Sequence, residues 1–269
     1  MTPRFERERV RHEPRRRRLR VVRSTSLPSG LVRITLGGEE LAGFAAAGPA
    51  DHVKVFFPDP TTGEIATPVP AERGEAPAAA ISRDYTPLAF RADGESGGEL
   101  DIDFVLHGVD GPASAWAASA KPGDEIVVAG PRGSALAPGG IDAAVLVADE
   151  TGLPAARRWL DALDVPVTAL LAVADAAATD YLDAAPGRTL RWFSGAERQQ
   201  ELEAAVRELV IGEGVFVFLA GEAGSLVPIR RYLRHELGLP KEQVDAHGYW
   251  KRGVVALDHH APIDPTDPD

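Results

Sequence analysis

No cysteine occurs anywhere in the chain. Disulfides, thiolate metal sites, iron–sulfur ligation and a cysteine nucleophile are excluded together, so any redox chemistry must come from a bound cofactor. Long apolar runs are missing as well. No stretch approaches the length a helix needs to cross a bilayer, and no apolar segment follows the arginine-rich start as it would in a signal peptide. A protein without a membrane span, located in the cytoplasm, is expected. Paired carboxylates, a metal-ligand cluster, a nucleophile with its base and a G-x-G-x-x-G are also absent. His259-His260, near the end, is too isolated to form a metal site.

With 269 residues, 44% of them apolar and 26% charged, the sequence suits two globular domains, each with its own core. The net charge of −11 is unevenly placed: residues 1–20 hold nine arginines and three glutamates, about +6, leaving about −17 on the rest. Without interleaved aromatics or a following recognition helix, "RHEPRRRRLR" reads as a mobile, solubilising end, and no nucleic-acid partner is expected. The expected organisation is a basic flexible tail over 1–18, one domain over 19–138, a second over 139–257 and a flexible tail over 258–269.

Between Leu19 and Pro131 the segments are short, β-branched and separated by turn residues, as in "LRVVRST", "LVRITL", "HVKVFFP", "DYTPLAFR", "ELDIDFVLH" and "DEIVVAG". In "ELDIDFVLH" Leu100, Ile102, Phe104 and Leu106 alternate with Asp101 and Asp103. This spacing predicts an antiparallel β-barrel, interrupted by a helix in "GPASAWAASAKPGD". After "GPRGSALAPGG" the rhythm changes to alternating strand and helix, beginning with the continuous apolar run "AAVLVAD". That order predicts an α/β doubly wound parallel sheet, with ligands beyond the carboxyl ends of its strands.

"ISRDYTPLAFR" opens a strand with residues a core does not need. Arg83 and Tyr85 fall on one face and Thr86 lies one step on, so a guanidinium, a phenol ring and a hydroxyl are presented within four residues. A diphosphate, an isoalloxazine ring and a flavin nitrogen would be served by these three groups.

Arg83-Asp84-Tyr85-Thr86, "DFVLHGVDGPASAW", "LVADETGLPAARRWL" and "LAGEAGSLVPIRRYLRHELGLPKEQVDAHGYWKRG" together resemble, in order, the siderophore-interacting proteins, also called ferric-siderophore reductases. These are a branch of the ferredoxin-reductase-like flavoproteins. The likeness runs from Leu19 to Leu257 and implies FAD in the first domain and NADH or NADPH as electron donor at the second. Tyr85 and Thr86 are then the residues at the reacting ring, with Arg83, His107, Gly111, Ala113, Ser114 and Trp250 as further FAD contacts. The residues by themselves leave His107 open between a flavin contact and a strand-end histidine. Trp116 reads as packing, and Tyr249 with Trp250 either close over the ring or seal a domain seam.

Many relatives have an arginine two residues after the motif threonine, where this chain has Pro87-Leu88. Proline cannot donate a ladder bond, so the strand must lie at an edge or be bulged there, and Arg91 or backbone amides must do the work of the missing arginine. On the nicotinamide side the candidates are Thr151, Gly152, Asp175, Gly221 and Glu222. Thr151-Gly152 offers a spare phosphate-facing turn, which Asp149 and Glu150 make unwelcoming to an anion. Asp175 suits a ribose hydroxyl and disfavours a 2′-phosphate, favouring NADH unless Arg188 and Arg191 intervene.

For a bulky, often anionic ferric siderophore the resemblance points to Lys54, Arg132, Lys251 and Arg252. The implied function is the transfer of electrons from NAD(P)H through FAD to the chelated Fe(III), releasing Fe(II). A ferredoxin is a further possible partner, and a monomer is the default state. Two alternatives stand beside it: a general flavin or ferredoxin reductase-like electron carrier, and a non-enzymatic ligand-binding or regulatory protein. The absence of a Gly-Cys or Cys-Gly signature near Ala220-Gly221-Glu222 speaks against the first.

Overall fold

A computed structural model describes residues 4–68, 80–94, 97–106, 111–258 and 261–267. These form two compact units, Val10–Ala47 with Asp51–Ser134, and Met1–Arg9 with Gly48–Ala50 and Ala135–Asp269. Among the described residues no helix is long and apolar enough to cross a membrane.

The short strands β1 (Arg9–Arg11) and β9 (Gly133–Ala135) pair with each other. The first unit is built on β2 (Arg16–Leu27), β3 (Leu31–Gly37), β4 (Val53–Phe56), β5 (Ser82–Tyr85), β6 (Pro87–Arg91), β7 (Glu99–Val105) and β8 (Glu125–Ala129). Their order in the antiparallel sheet is β5-β4-β8-β2-β3-β7-β6. Its two edges, β5 and β6, are consecutive in the chain and separated only by Thr86, so the sheet must curl until its edges meet. Pro87 begins the outer edge, and the register against β7 shifts between Pro87 and Ala89. The strand is therefore both at an edge and bulged, as a proline requires.

Leu19, Ile34, Leu36, Val53, Val55, Leu100, Ile102, Phe104 and Ile126 fill the barrel. Contrary to the alternation read from "ELDIDFVLH", Asp101 and Asp103 on the other face are buried too. Each is compensated: Arg33 grips Asp103 through two bonds of 2.7 Å, and Asp101 accepts from Thr35 and Arg91.

The second unit carries α2 (Leu153–Ala162), α3 (Arg198–Arg207) and α4 (Ala223–Arg231), while α1 (Pro112–Ser119) belongs to the barrel. Its sheet is parallel throughout, in the order β12 (Arg188–Ser194), β11 (Val167–Val173), β10 (Ala143–Asp149), β13 (Val215–Glu222) and β14 (Val244–Trp250). The switch point lies between β10 and β13, the place where such sheets bind ligands. β14 was not legible as a strand. "VDAHGYW" lacks an apolar run because it sits at the edge and is half-buried along most of its length.

In both expected tails the described residues pack against the rest of their unit. In "RRRRLR" the charge run masks an alternation in which Arg17, Leu19 and Val21 turn inward and Arg16, Arg18 and Arg20 outward. Arg18 and Arg20 both pair with Glu125 on the neighbouring strand. Further upstream Phe5 is buried, and Arg7 donates to Asp245 and to the carbonyls of Leu136 and Ala135. At the other end Ile263 joins the second core, and Arg231 and Arg230 hold Asp264 and Asp267 at 2.7 Å each. His259 and His260 lie outside the described residues.

Burial works to raise the Asp245 carboxyl pKa, but His247 and Arg7 outweigh it and hold the group at about 2. A carboxyl depressed on folding stabilises above its unfolded value, near 4, and loses that contribution as pH falls through its folded value. In urea titrations the stability gap between the wild type and Asp245→Asn should be present at about pH 5 and close towards pH 2. A gap that persists unchanged to pH 2 would contradict this.

Candidate functional site

In the first unit β4 and β5 pair so that Val53 faces Tyr85, Lys54 faces Asp84 and Val55 faces Arg83. Strand alternation carries Arg83 and Tyr85 to one side and Asp84 to the other. The Tyr85 ring leans on Phe104 at 4.4 Å and Phe57 at 6.2 Å between centroids, which fixes its plane. Burial pushes the phenol pKa well above its usual value, with Arg83 pulling the other way, so the hydroxyl stays protonated. Arg83 Nη1 donates to the Ser82 carbonyl at 2.7 Å, leaving other guanidinium donors for a ligand. Thr86 is 8% exposed, at the point where the chain leaves β4 for β7, and among the described residues its hydroxyl has no hydrogen-bond partner.

Helix α1 begins at Gly111 with Pro112 in its first turn, and among the described residues no side chain caps it. The first amides of a helix, here including those of Ala113 and Ser114, lack intrahelical partners and favour an anion. Ser114 Oγ reaches back to the Val105 carbonyl at 3.4 Å. An open helix start, a strand arginine with spare donors and a buried, unbonded hydroxyl fit a flavin dinucleotide. His107 lies outside the described residues. Trp116 is packing, 5.6 Å from Phe57 and 5.9 Å from Phe104 between ring centroids. Arg91 cannot replace the missing arginine, because Asp101 and Glu99 hold it on both sides.

Lys54 is less available than the sequence suggested. Its ammonium lies 2.8 Å from Asp84, the motif residue that sequence reasoning passed over and that cross-strand register places opposite. Arg132 is exposed, and its side chain has no partner among the described residues.

In the second unit carboxylates close the turn that leads into α2 and the start of α4, whereas the N-cap residues of α2 and α3 make no side-chain cap. Asp149, at the end of β10, is 5% exposed and accepts from Thr151 N at 2.8 Å, Thr151 Oγ1 at 2.5 Å and Gly152 N at 3.3 Å. Its second oxygen takes Glu222 N and Trp250 Nε1, each at 2.8 Å. The turn expected to face a phosphate is thus filled by the protein's own carboxylate, and Trp250 is held by Asp149. Glu222 accepts from Ser225 N at 2.6 Å, closing α4, and from Arg252 N at 3.1 Å. Glu150 ties the Ala174 amide, and Asp175 caps the following turn through Ala177 N at 2.9 Å. Of the charges flanking this edge, Arg188 donates to the Leu160 carbonyl and Arg191 lies 3.5 Å from Glu208. Lys251 is half-buried and Arg252 exposed.

Burial raises the Asp149 pKa, with the Thr151 and Trp250 bonds opposing and Glu150 adding to the rise. For Glu222 burial also works upward, but amides of Arg252, Ser225 and Gly224 prevail and lower it.

Two family models match successive parts of the chain, the siderophore-interacting FAD-binding domain over residues 20–135 and the siderophore-interacting protein model over 141–253. The chain belongs to the siderophore-interacting protein family. It is 39% identical over 259 residues to the NADPH-dependent ferric-chelate reductase of Escherichia coli K12, with 93% of this chain and 98% of that protein covered. The ferric vibriobactin reductase ViuB of Vibrio cholerae is 30% identical, with 91% and 92% covered. A siderophore utilization protein from T. fusca superposes with a TM-score of 0.84 at 42% identity, covering 95% of this chain and all of that one. The family's two-domain plan of antiparallel barrel and parallel sheet is the one described above.

Glycine is required at two places around Asp149. A Cβ on Gly221, whose φ is +149°, would stand 2.7 Å from the Asp149 carboxylate, and one on Gly152 would meet Ala148 and Ala220 at 2.8 and 2.9 Å. Gly221→Ala should lower unfolding stability by about 2 kcal/mol or more in urea, since neither backbone nor carboxylate can yield. An unchanged midpoint would show that the carboxylate is not fixed.

Proposed function

We propose that this protein is a flavin-dependent ferric-siderophore reductase that passes electrons from NAD(P)H through FAD to Fe(III) in a siderophore, so that Fe(II) is released. The observation that carries this reading is that one unit holds both Arg83, Tyr85 and Thr86 at the barrel's closure and a helix start without a side-chain cap among the described residues, in a chain of this family. FAD, when bound, supplies the conversion between hydride and single-electron transfer.

The residues of the chain bind and orient. Arg83 and the first amides of α1 would hold the diphosphate, the protonated Tyr85 would shield the ring from water, and the Thr86 hydroxyl would offer it a hydrogen bond. Arg132 attracts the anionic chelate, and Lys54 does so while shared with Asp84. Lys251 and Arg252 are the second domain's own candidates for that charge. A hydride carries two electrons, enough for two ferric ions, and the one proton left over passes to water; the weak ferrous chelate then lets its iron go without a protein acid or base.

Filled amides at Thr151, Gly152 and Ser225 support a loosely held dinucleotide. Asp175 favours NADH, although the Escherichia coli relative bears NADPH in its name. A ferredoxin is the alternative donor, compatible with the same closed helix starts. The reading includes a monomer acting in the cytoplasm.

Purified protein should be yellow, bleach under anaerobic NADH or NADPH, and regain colour on addition of a ferric chelate. A colourless sample that cannot be reconstituted with FAD would instead support a non-enzymatic binding role. Arg83→Ala should weaken FAD binding at least about tenfold in fluorescence titrations, with an unchanged far-UV spectrum. Arg132→Ala with Lys54→Ala should slow ferric-siderophore reduction while sparing a small neutral dye, and equal loss on both would contradict the basic patch. Asp175→Asn should shift the ratio of kcat/KM values toward NADPH severalfold.

A further inference from the structure

The arginine-rich segment, which the proposed reaction does not use, lines a cavity in the barrel unit. About 240 Å³ of space is bounded by Arg11, His12, Glu13, Arg15, Arg17 and Gly130, among others. That volume is several times the share of one water in the liquid, enough for a small polyatomic anion.

Arg17 is the unusual member. Its side chain turns inward beside Leu19, is 4% exposed and stacks over Phe44 at 5.2 Å. Nη1 donates to the Gly130 carbonyl at 3.1 Å, but among the described residues Nε has no partner. The neighbouring acids do not neutralise it. Glu13 is paired with Arg15 at 2.8 Å, and Glu40 accepts from the Arg18 amide at 2.7 Å. Burial lowers the Arg17 pKa, Arg15 lowers it further and Glu40 opposes. A buried cation with a spare donor is costly unless a counter-charge arrives from outside.

The wall of the cavity is fixed independently of any ligand. Ser134 Oγ donates to Asp51 at 2.5 Å and accepts from Ala47 N at 3.0 Å, which leaves it only acceptor capacity towards His12 Nε2 at 2.7 Å. His12 therefore carries its hydrogen on Nε2, and its backbone amide also holds the Arg132 carbonyl at 3.0 Å. Arg11, Arg17 and His12, with Arg15 already paired to Glu13, are thus held around the cavity, while Asp51 is engaged by Ser134 and Glu40 by the Arg18 amide.

We propose that this cavity binds a small oxyanion, the phosphate or carboxylate group of a small molecule, with the Arg17 guanidinium as its floor and Arg11 and Arg15 at its mouth. The test uses the full-length, FAD-loaded protein, with inorganic phosphate and malonate as separate probes and sodium chloride matching the ionic strength. A saturable rise of the thermal midpoint is expected, roughly 3–5 °C at ten times the dissociation constant. Arg17→Met keeps an apolar stem against Phe44 and removes the charge; it should abolish the rise without lowering the anion-free midpoint. Arg11→Gln with Arg15→Gln, both on the exposed rim, should weaken binding about tenfold, and decides the matter should Arg17→Met fail to fold. A response to phosphate alone assigns a phosphate ligand, to malonate alone a carboxylate, and to both the shared oxyanion chemistry. No saturable rise in the wild type, or an equal rise in the variants that fold, overturns the proposal.

Discussion

Residues 82–91 form both edges of one antiparallel sheet, and their hydrogen-bonding partner changes from β4 to β7 at Thr86. A sheet whose first and last strands are one continuous segment has no choice but to curl shut, and the residue at the crossing can join neither ladder. Pro87 is tolerated for this reason, since its missing N–H falls at the bulge. The same crossing leaves the Thr86 hydroxyl without a protein partner and sets Arg83 and Tyr85 on the face just before it. The flavin motif is therefore the closure of the barrel, and the loss of either would disturb the other.

Helix starts are treated in different ways along the chain. In the barrel, the N-cap residue of α1 is a glycine that offers no side chain to its first amides. In the parallel sheet, Asp149 covers the amides of the turn that leads into α2 and Glu222 those of α4, and Asp149 fastens the ends of β10, β13 and β14 together. Negative charge belongs at a helix start, whether it comes from a ligand or from the chain. Where the protein supplies it, the ends of the sheet are tied firmly and a dinucleotide phosphate finds little to hold.

Much of this was readable in advance. Barrel and parallel sheet followed from the change of rhythm at residues 130–140, and the Arg83-Asp84-Tyr85-Thr86 stretch stood out because a core strand does not need those groups. The failures share a cause. "RRRRLR" looked like a free tail because four successive arginines hide the inward face of Arg17 and Leu19, and a long aliphatic stem buries as readily as an apolar side chain. β14 escaped because an edge strand carries no apolar run. Lys54 looked available until register set Asp84 across from it.

The sequence by itself determined the order and type of most elements, the absence of thiol chemistry, and the residues able to serve a flavin, because periodicity and side-chain chemistry act over a few neighbouring positions. Only the tertiary structure decided which charges were already spoken for. Whether Asp149 repels a phosphate or replaces one, whether Arg91 is available, and whether Arg17 is a surface charge or a buried one depend on partners from 10 to 113 residues away along the chain. Pairing at such distances is settled by the register and curl of a folded sheet, to which no local pattern gives access.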